Sequence, residues 1–229
     1  CLLSRGLGDV YKRQRHTNTE SDSEVLVNII AHELEKNTRG IPLTVDNVFD
    51  AVAGVHARLK GSYAVISLIA GHGLLAFRDP YGIRPLCIGR AADGSVMLAS
   101  ESVALEGTGF QLERDVAPGE AVFVALDGTL HTRQCAPSSQ LYPCVFEFVY
   151  LARPDSVLDS ISVYQARLAL GEGLAKRLIS KVPPNEIDVV IPIPESSRPS
   201  AMQLAQLIGK PYRDCLLYTS DAADEGLGV

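Results

Sequence analysis

Two short stretches of this chain carry residue types that could do chemistry. Ser21-Asp22-Ser23-Glu24 places a carboxylate one residue after a hydroxyl, directly ahead of an apolar-periodic run. Glu195-Ser196-Ser197 follows Val189-Val190-Ile191-Pro192-Ile193-Pro194 and precedes Pro199. By residue type alone the first is a helix start. Ser21 and Glu24 have the form of a capping box, and Asp22 sits at the first helical position, where the macrodipole favours an acid. The second has the makings of an anion site. A β-branched run of this kind reads as a buried parallel strand, and α/β folds bind ligands at the carboxyl edge of such strands. Amides and hydroxyls at the start of the next helix then face the anion. The local alternative is that Ser197 or Ser200 only caps the helix opened by Pro199.

A third group, Tyr150, Arg153 and Asp155, stands where the aromatic segment Val145 to Tyr150 runs into Ala152-Arg153-Pro154-Asp155-Ser156. Taken as residues, they are a Pro-containing turn with a surface ion pair. Asp79-Pro80-Tyr81-Gly82 is a turn with Pro and Gly at their favoured places, and Arg78 and Arg84 beside it are expected to pair with nearby acids. The five cysteines (positions 1, 87, 135, 144 and 215) show no CxxC spacing. They read as reduced thiols rather than as a disulfide framework. His32 and His56 fall inside amphipathic helical patterns and are expected to pack rather than to bind metal.

The elements that must position these groups come in two styles. A helix from about Asp22 to Lys36 carries Leu26, Ile29, Ile30 and Leu34 on one stripe. A second, from about Asp46 to Lys60, repeats Val48, Val52, Val55 and Leu59 and stops at Gly61. Short strands follow at Ser62 to Ala70, Leu74 to Phe77, Leu86 to Gly89, Ser95 to Ala99, Ala121 to Leu126 and Thr129 to Arg133, with turns at Gly71-His72-Gly73, Asp93-Gly94 and Asp127-Gly128. Helices followed by a meander are an α+β pattern. After Ala136-Pro137-Ser138-Ser139 the style changes. An aromatic strand (Val145 to Tyr150) precedes a long helix (Ser160 to Ser180), which Val182-Pro183-Pro184 ends. The strand Glu186 to Pro194 and a helix from Pro199 then open an α/β arrangement.

Composition narrows the class. The chain has 229 residues, 46% of them hydrophobic and 21% charged, with a formal net charge of −6. Those proportions are ordinary for a folded soluble domain, and the acidic balance gives no support for nucleic-acid or anionic-membrane binding. No apolar run reaches the roughly 18 residues that span a bilayer, and no leader pattern is present. Cytoplasm is the expected location.

SDSE (Ser21 to Glu24), FRDPYGIRPL (Phe77 to Leu86) and ASESVAL (Ala99 to Leu105) together resemble the glutaminase domain of class II glutamine amidotransferases. FEFVYLARPDS (Phe146 to Ser156) and VVIPIPESS (Val189 to Ser197) resemble the amidophosphoribosyltransferase family specifically, and the resemblance covers Arg15 to Arg213. It implies the C-terminal part of an N-terminal-nucleophile-hydrolase-type glutaminase layer fold, followed by the truncated start of an α/β phosphoribosyltransferase domain. Asp22 matches the acid that binds the α-ammonium of glutamine. Glu195, Ser196 and Ser197 match the loop that contacts pyrophosphate and magnesium, with Ser196 at the metal-associated position. Tyr150, Arg153 and Asp155 stand at the junction between the two domains that the resemblance implies, and an interdomain role is expected of them because a coupled enzyme needs its two sites held in register. Arg153→Ala should then lower glutamine-dependent transfer more than ammonia-dependent transfer.

The same resemblance implies a glycosyltransferase of purine biosynthesis that uses glutamine, phosphoribosyl pyrophosphate and Mg²⁺. Purine nucleotides would be its feedback inhibitors, and it would be a homo-oligomer. Cys144 matches a position that some members give to a 4Fe–4S cluster. Four thiolates are needed, and no cluster is expected here. A relative of asparagine synthetase, and a free-standing non-catalytic module, are the other two readings the motifs leave open.

The ends depart from the pattern. Residues 1–14 and 215–229 both open with CLL, contain GLG and lack periodicity, so they are expected to be non-native flanks. Between them the expected divisions are a partial glutaminase domain at 15–136, a hinge at 137–160 and the start of the phosphoribosyltransferase domain at 161–214. An N-terminal Cys can be a nucleophile activated by its own amine. Cys1, however, precedes Leu2-Leu3-Ser4-Arg5-Gly6 instead of the family's apolar, Gly-containing strand, and is judged unrelated. The isolated chain is therefore expected to lack the nucleophile and glutaminase activity.

Overall fold

The computed structural model describes Thr19, residues 21–38 and residues 40–214. Two helices come first, α1 (Asp22–Thr38) and α2 (Val45–Arg58). Strands β1 (Ala64–Ile69), β2 (Gly73–Arg78), β6 (Glu120–Ala125) and β7 (Leu130–Gln134) form an antiparallel sheet in the order β1-β2-β6-β7. A second sheet, β4-β3-β5, contains β3 (Cys87–Arg90), β4 (Val96–Ala99) and β5 (Gln111–Asp115), with the short helix α3 (Ser102–Glu106) after β4. The architecture is α+β, as the sequence pattern implies.

Strand β2 is buried on both faces, and its alternation shows how the layers stack. Leu75 and Phe77 face α1 and α2 in a core with Ile30, Val48, Val52, Val55 and Phe123. Ala76 points the other way, with Val122, onto Leu86, Ile88, Leu98 and Val116 of the second sheet region. The period-2 geometry of a strand sends neighbours to opposite layers, so one strand serves two cores. Helix α2 begins at a capping box, where Thr44 Oγ1 accepts from the Asn47 N–H at 3.2 Å and Asn47 Oδ1 accepts from the Thr44 N–H at 3.1 Å. Its start is one residue ahead of the expected Asp46.

At α1 the expected capping box closes differently. Ser21 Oγ accepts from the Ser23 N–H at 3.3 Å, while the Glu24 carboxylate reaches past Ser21 to the Thr19 N–H and hydroxyl, both at 2.8 Å. The carboxylate still satisfies donors ahead of the helix, only two residues earlier.

Two further expectations are corrected. The aromatic segment Val145 to Tyr150 is not a strand: Glu147–Leu151 is a π-helical turn closed by the Ala152 N–H donating to Glu147 O at 2.8 Å. Buried Arg167 holds its carbonyls, donating to Phe148 O at 2.8 Å and Ala152 O at 2.7 Å. With those bonds made locally, the segment needs no strand partner. Likewise Glu186 to Pro194 forms no extended ladder. Pro184–Glu186 is a 3₁₀ turn, and pairing is limited to one parallel bridge, Val190 to Tyr212. A parallel strand requires a neighbour supplied by a distant segment, and among the described residues only the bridge at Tyr212 supplies one.

The C-terminal helices are α4 (Val163–Ile179) and α5 (Arg198–Ile208). Ahead of α4 lies a two-stranded hairpin, β8 (Val157–Leu158) and β9 (Ile161–Ser162). The hairpin takes the residues from Ser160 that the pattern assigned to the helix. Gly171 lets α4 and α5 touch, since a Cβ there would lie 2.5 Å from Ser200 O. Ala175, Ala201, Leu204, Ala205 and Ile208 fill the contact.

Candidate functional site

Asp22 is the first residue of α1, exposed at the mouth of a cleft of about 480 Å³ lined also by Ser23, Leu26, Lys60, Ser62 and Tyr63. The cleft thus offers a carboxylate, an ammonium and hydroxyls around an apolar floor. One wall is rigid. The Tyr63 hydroxyl lies 2.8 Å from His56 Nδ1, and both rings meet Phe77 edge-on, at 6.0 and 5.8 Å between centroids. Burial lowers the pKa of His56, against the attraction of Asp79, which favours the neutral imidazole at neutral pH. Burial also raises that of the Tyr63 hydroxyl well above the usual phenol range, with the Asp79 charge adding to it. Both shifts favour an uncharged hydrogen bond between the two.

Behind this wall the Asp79-Pro80-Tyr81-Gly82 turn is organised by its own acid. The Asp79 carboxylate accepts from the N–H groups of Tyr81 (2.9 Å), Ile83 (3.0 Å) and Arg84 (3.3 Å). The scaffold expectation for this motif holds. Arg84 pairs with Glu147 at 2.6 Å, and Arg78 pairs with Asp159 at 2.7 Å.

A second cleft, of about 440 Å³, opens beside the first and is lined by Arg84, Ser100, Glu101, Glu147 and Leu151. Ser62, Tyr63 and Ala64 line both clefts. The second cleft lies where the layered part meets the π-helical turn, and polar bonds from its Glu101 and the adjacent Ser102 tie down the segment that follows that turn. Glu101 Oε2 accepts from the Ser156 hydroxyl at 2.6 Å and from the Arg153 N–H at 2.9 Å, and Ser102 Oγ accepts from the Val157 N–H at 2.9 Å.

Tyr150, Arg153 and Asp155, expected from sequence at the hinge, differ in what they touch. The Arg153 and Asp155 side chains pair with each other at 2.9 and 3.0 Å and are largely exposed. Tyr150 is 69% exposed. It is the backbone of Arg153 that reaches across, to Glu101. Sequence reasoning passed over Glu101 and Asp159, because their partners are 52 or more residues away. The one local signal was two polar residues, Asp159-Ser160, between Leu158 and Ile161. Glu101→Ala is expected to destabilise by about 1–3 kcal/mol, since a buried hydroxyl and an N–H lose their acceptor. Arg153→Ala, which keeps the N–H, should leave the thermal midpoint unchanged.

Glu195, Ser196 and Ser197, expected from sequence to form a phosphate loop, sit in the turn before α5. Glu195 is exposed and pairs with Arg198 at 3.1 Å, and Arg198 also pairs with Asp214 at 3.1 Å. Neither serine acts as a side-chain cap. The Ser197 hydroxyl donates to Ile193 O, and that of Ser200 to Arg167 O at 2.7 Å. Ser196 lies half-buried in the same turn. Asp22 and this turn are on different elements, and neither of the two clefts is lined by residues of both.

No group of three or more His, Cys, Asp or Glu that could hold a metal ion occurs among the described residues. The loop's single carboxylate, Glu195, is already engaged by Arg198, so the residues present do not make a magnesium donor set. Cys87, Cys135 and Cys144 are free thiols. Burial pushes Cys87 up to about 12 and also raises Cys135, which disfavours the reactive thiolate in both. Cys1 lies outside the described residues, as do both flanks. No helix among the described residues is long and apolar enough to cross a membrane.

Residues 6–107 match the family described as the glutamine amidotransferase domain. The amidophosphoribosyltransferase of Pseudomonas aeruginosa is 53% identical over 87% of this chain and 40% of its own length. That of Escherichia coli is 51% identical over 88% and 41%, and that of Saccharomyces cerevisiae 47% identical over 87% and 40%. A solved structure of the glutamine phosphoribosylpyrophosphate amidotransferase from B. subtilis, complexed with ADP and GMP, superposes with a TM-score of 0.74 at 30% identity, covering 97% of this chain and 47% of that one. The chain spans about two fifths of the length of the curated relatives it matches. Over that stretch it belongs to the amidophosphoribosyltransferase family.

Proposed function

We propose that the longer protein to which this segment corresponds converts glutamine and phosphoribosyl pyrophosphate to 5-phosphoribosylamine, glutamate and pyrophosphate, the first step of purine biosynthesis. In this reading a cysteine thiolate outside the segment attacks the glutamine amide, and the ammonia released displaces pyrophosphate at the second centre. Asp22 binds the α-ammonium of glutamine. Glu195, Ser196 and Ser197 form the loop that meets the pyrophosphate, with Tyr150, Arg153 and Asp155 at the hinge between 15–136 and 161–214. The observation that carries the reading is the pairing of two features in one chain. A carboxylate stands at the mouth of a cleft with mixed charge, and a serine-rich turn at a helix start belongs to a separate layer. An asparagine-synthetase relative would need no such second turn.

A cytoplasmic location, a homo-oligomer and control by purine nucleotides belong to the same reading, as does magnesium, whose further donors would have to come from outside the described residues. The B. subtilis neighbour is a complex with ADP and GMP. The test is to supply the full-length protein with phosphoribosyl pyrophosphate and either glutamine or ammonia. Pyrophosphate release is expected with both nitrogen donors. Release with neither would overturn the reading, and asparagine formation from aspartate would move it to the other class.

A further inference from the structure

We propose that Arg78 and Asp159 are positioning residues, a clasp that sets the hairpin β8–β9 and the helices beyond it on the layered part, so that the two reaction centres stay in register. This rests on the two-centre reading above. Arg78 has a 1% exposed side chain and uses its whole guanidinium. It grips Asp159 through both terminal nitrogens, at 2.7 and 2.8 Å, and donates to Arg84 O at 2.7 Å, Val116 O at 2.9 Å and Gly82 O at 2.8 Å. Those bonds account for all five N–H donors of an arginine. Five acceptor atoms of four residues, on three separate segments of which one is 81 residues away, are thereby fixed by one planar group.

The hairpin is built around this grip. Asp159 and Ser160 both adopt left-handed backbone, with φ of 48° and 64°. Such conformations are costly for non-glycine residues and persist where surrounding contacts impose them. Asp115 is turned toward the backbone of the same two residues. On the other side of the hairpin, Glu101 and Ser102 hold Ser156 and Val157. A buried ion pair is weak evidence for stability, since an apolar pair of similar volume often does as well. What a bidentate fork adds is orientation.

The chain and its contacts lead from the clasp toward both candidate centres. Arg78 directly follows Phe77, which packs edge-on against Tyr63 in the wall of the Asp22 cleft. Asp159 leads within a few residues into α4, whose Arg167 carbonyl accepts from the Ser200 hydroxyl in the first turn of α5. A small rotation at the hairpin would displace the Glu195–Ser197 turn relative to Asp22 without altering either site internally.

The test uses the full-length protein and two variants, Asp159→Asn and Arg78→Lys. Asparagine keeps the shape and tolerates positive φ; lysine keeps the charge and loses the fork. Glutamine-dependent phosphoribosylamine synthesis should fall about tenfold, a coupling of ordinary size. Ammonia-dependent synthesis and glutamate release should stay near the parent's level, so more than one glutamate appears per phosphoribosylamine. Equal loss with both nitrogen donors, or no loss with either, would overturn the clasp. If the unmodified protein makes no phosphoribosylamine from either donor, the two-centre reading fails on its own account. Hydrogen exchange then decides the clasp: in Asp159→Asn the amides of 157–163 and of 79–84 should exchange faster together. Exchange unchanged in either segment overturns it.

Discussion

Replacing Arg78 by methionine should destabilise the chain by about 3–5 kcal/mol, the usual cost of removing one partner from a buried ion pair. Methionine fills much of the volume, so the loss would be electrostatic. Asp159, with a side chain only 9% exposed, would keep its charge without its fork, and three carbonyls would lose a donor. Urea unfolding of the purified chain and the variant gives the difference directly from the midpoints. Removing both charges, with Arg78→Met and Asp159→Asn together, should recover part of the loss, because the stranded carboxylate is then gone. A shift under about 1 kcal/mol in Arg78→Met would mean that water reaches the pair, as at exposed bridges.

That pair also marks where the sequence stops being readable. Helix α2 was legible almost to the residue, since Val48, Val52 and Val55 recur at helical spacing and all three are fully buried. Its cap, Thr44 with Asn47, is a contact over three residues. The turn at Asp79 was equally local, and its Pro and Gly announce it. Arg78 could be assigned an acidic partner in general but not Asp159 in particular, because that contact is a product of how the layers fold. The same limit explains the aromatic segment. Val145 to Tyr150 has the residue types of a strand, yet nothing local reveals that buried Arg167 will satisfy Phe148 and Ala152 and let the chain coil instead. At Glu186 to Pro194 the residue types favour a strand whose neighbours the described residues mostly do not contain. Strand β5, Gln111–Asp115, was missed for a different reason. Its sequence, QLERD, is polar and charged, and it pairs along the edge of the β4-β3-β5 sheet with little apolar signal.

For the site, position was legible and company was not. Asp22 was placed at a helix start, and it is there. The carboxylate of Glu101, which ties the junction together, sat unremarked within the ASESVAL motif. Motifs mark the residues that relatives share, whereas hydrogen bonds across 50 residues emerge only once β4 and the hairpin are adjacent.

The Asp22→Asn substitution in the full-length protein separates the two meanings of that helix start. If Asp22 only complements the helix terminus, the change should be nearly silent. Asparagine is well tolerated at such positions, and the bonds ahead of α1 are made by Ser21 and Glu24, neither of which is altered. If the carboxylate receives the α-ammonium of glutamine, the change removes the charge and keeps the shape. A charge-assisted hydrogen bond is then lost, and kcat/KM for glutamine-dependent synthesis should fall about 10- to 150-fold. Ammonia-dependent synthesis does not use this cleft and should be spared. Lys60 on the same cleft supplies the internal control. Weakening the long-range field alone, by Lys60→Gln, should be screened by added salt, whereas the loss in Asp22→Asn should persist at high ionic strength, because it comes from a direct contact. Assays at saturating phosphoribosyl pyrophosphate with each nitrogen donor decide the matter, and unchanged glutamine kinetics would leave Asp22 as a helix terminus and nothing more.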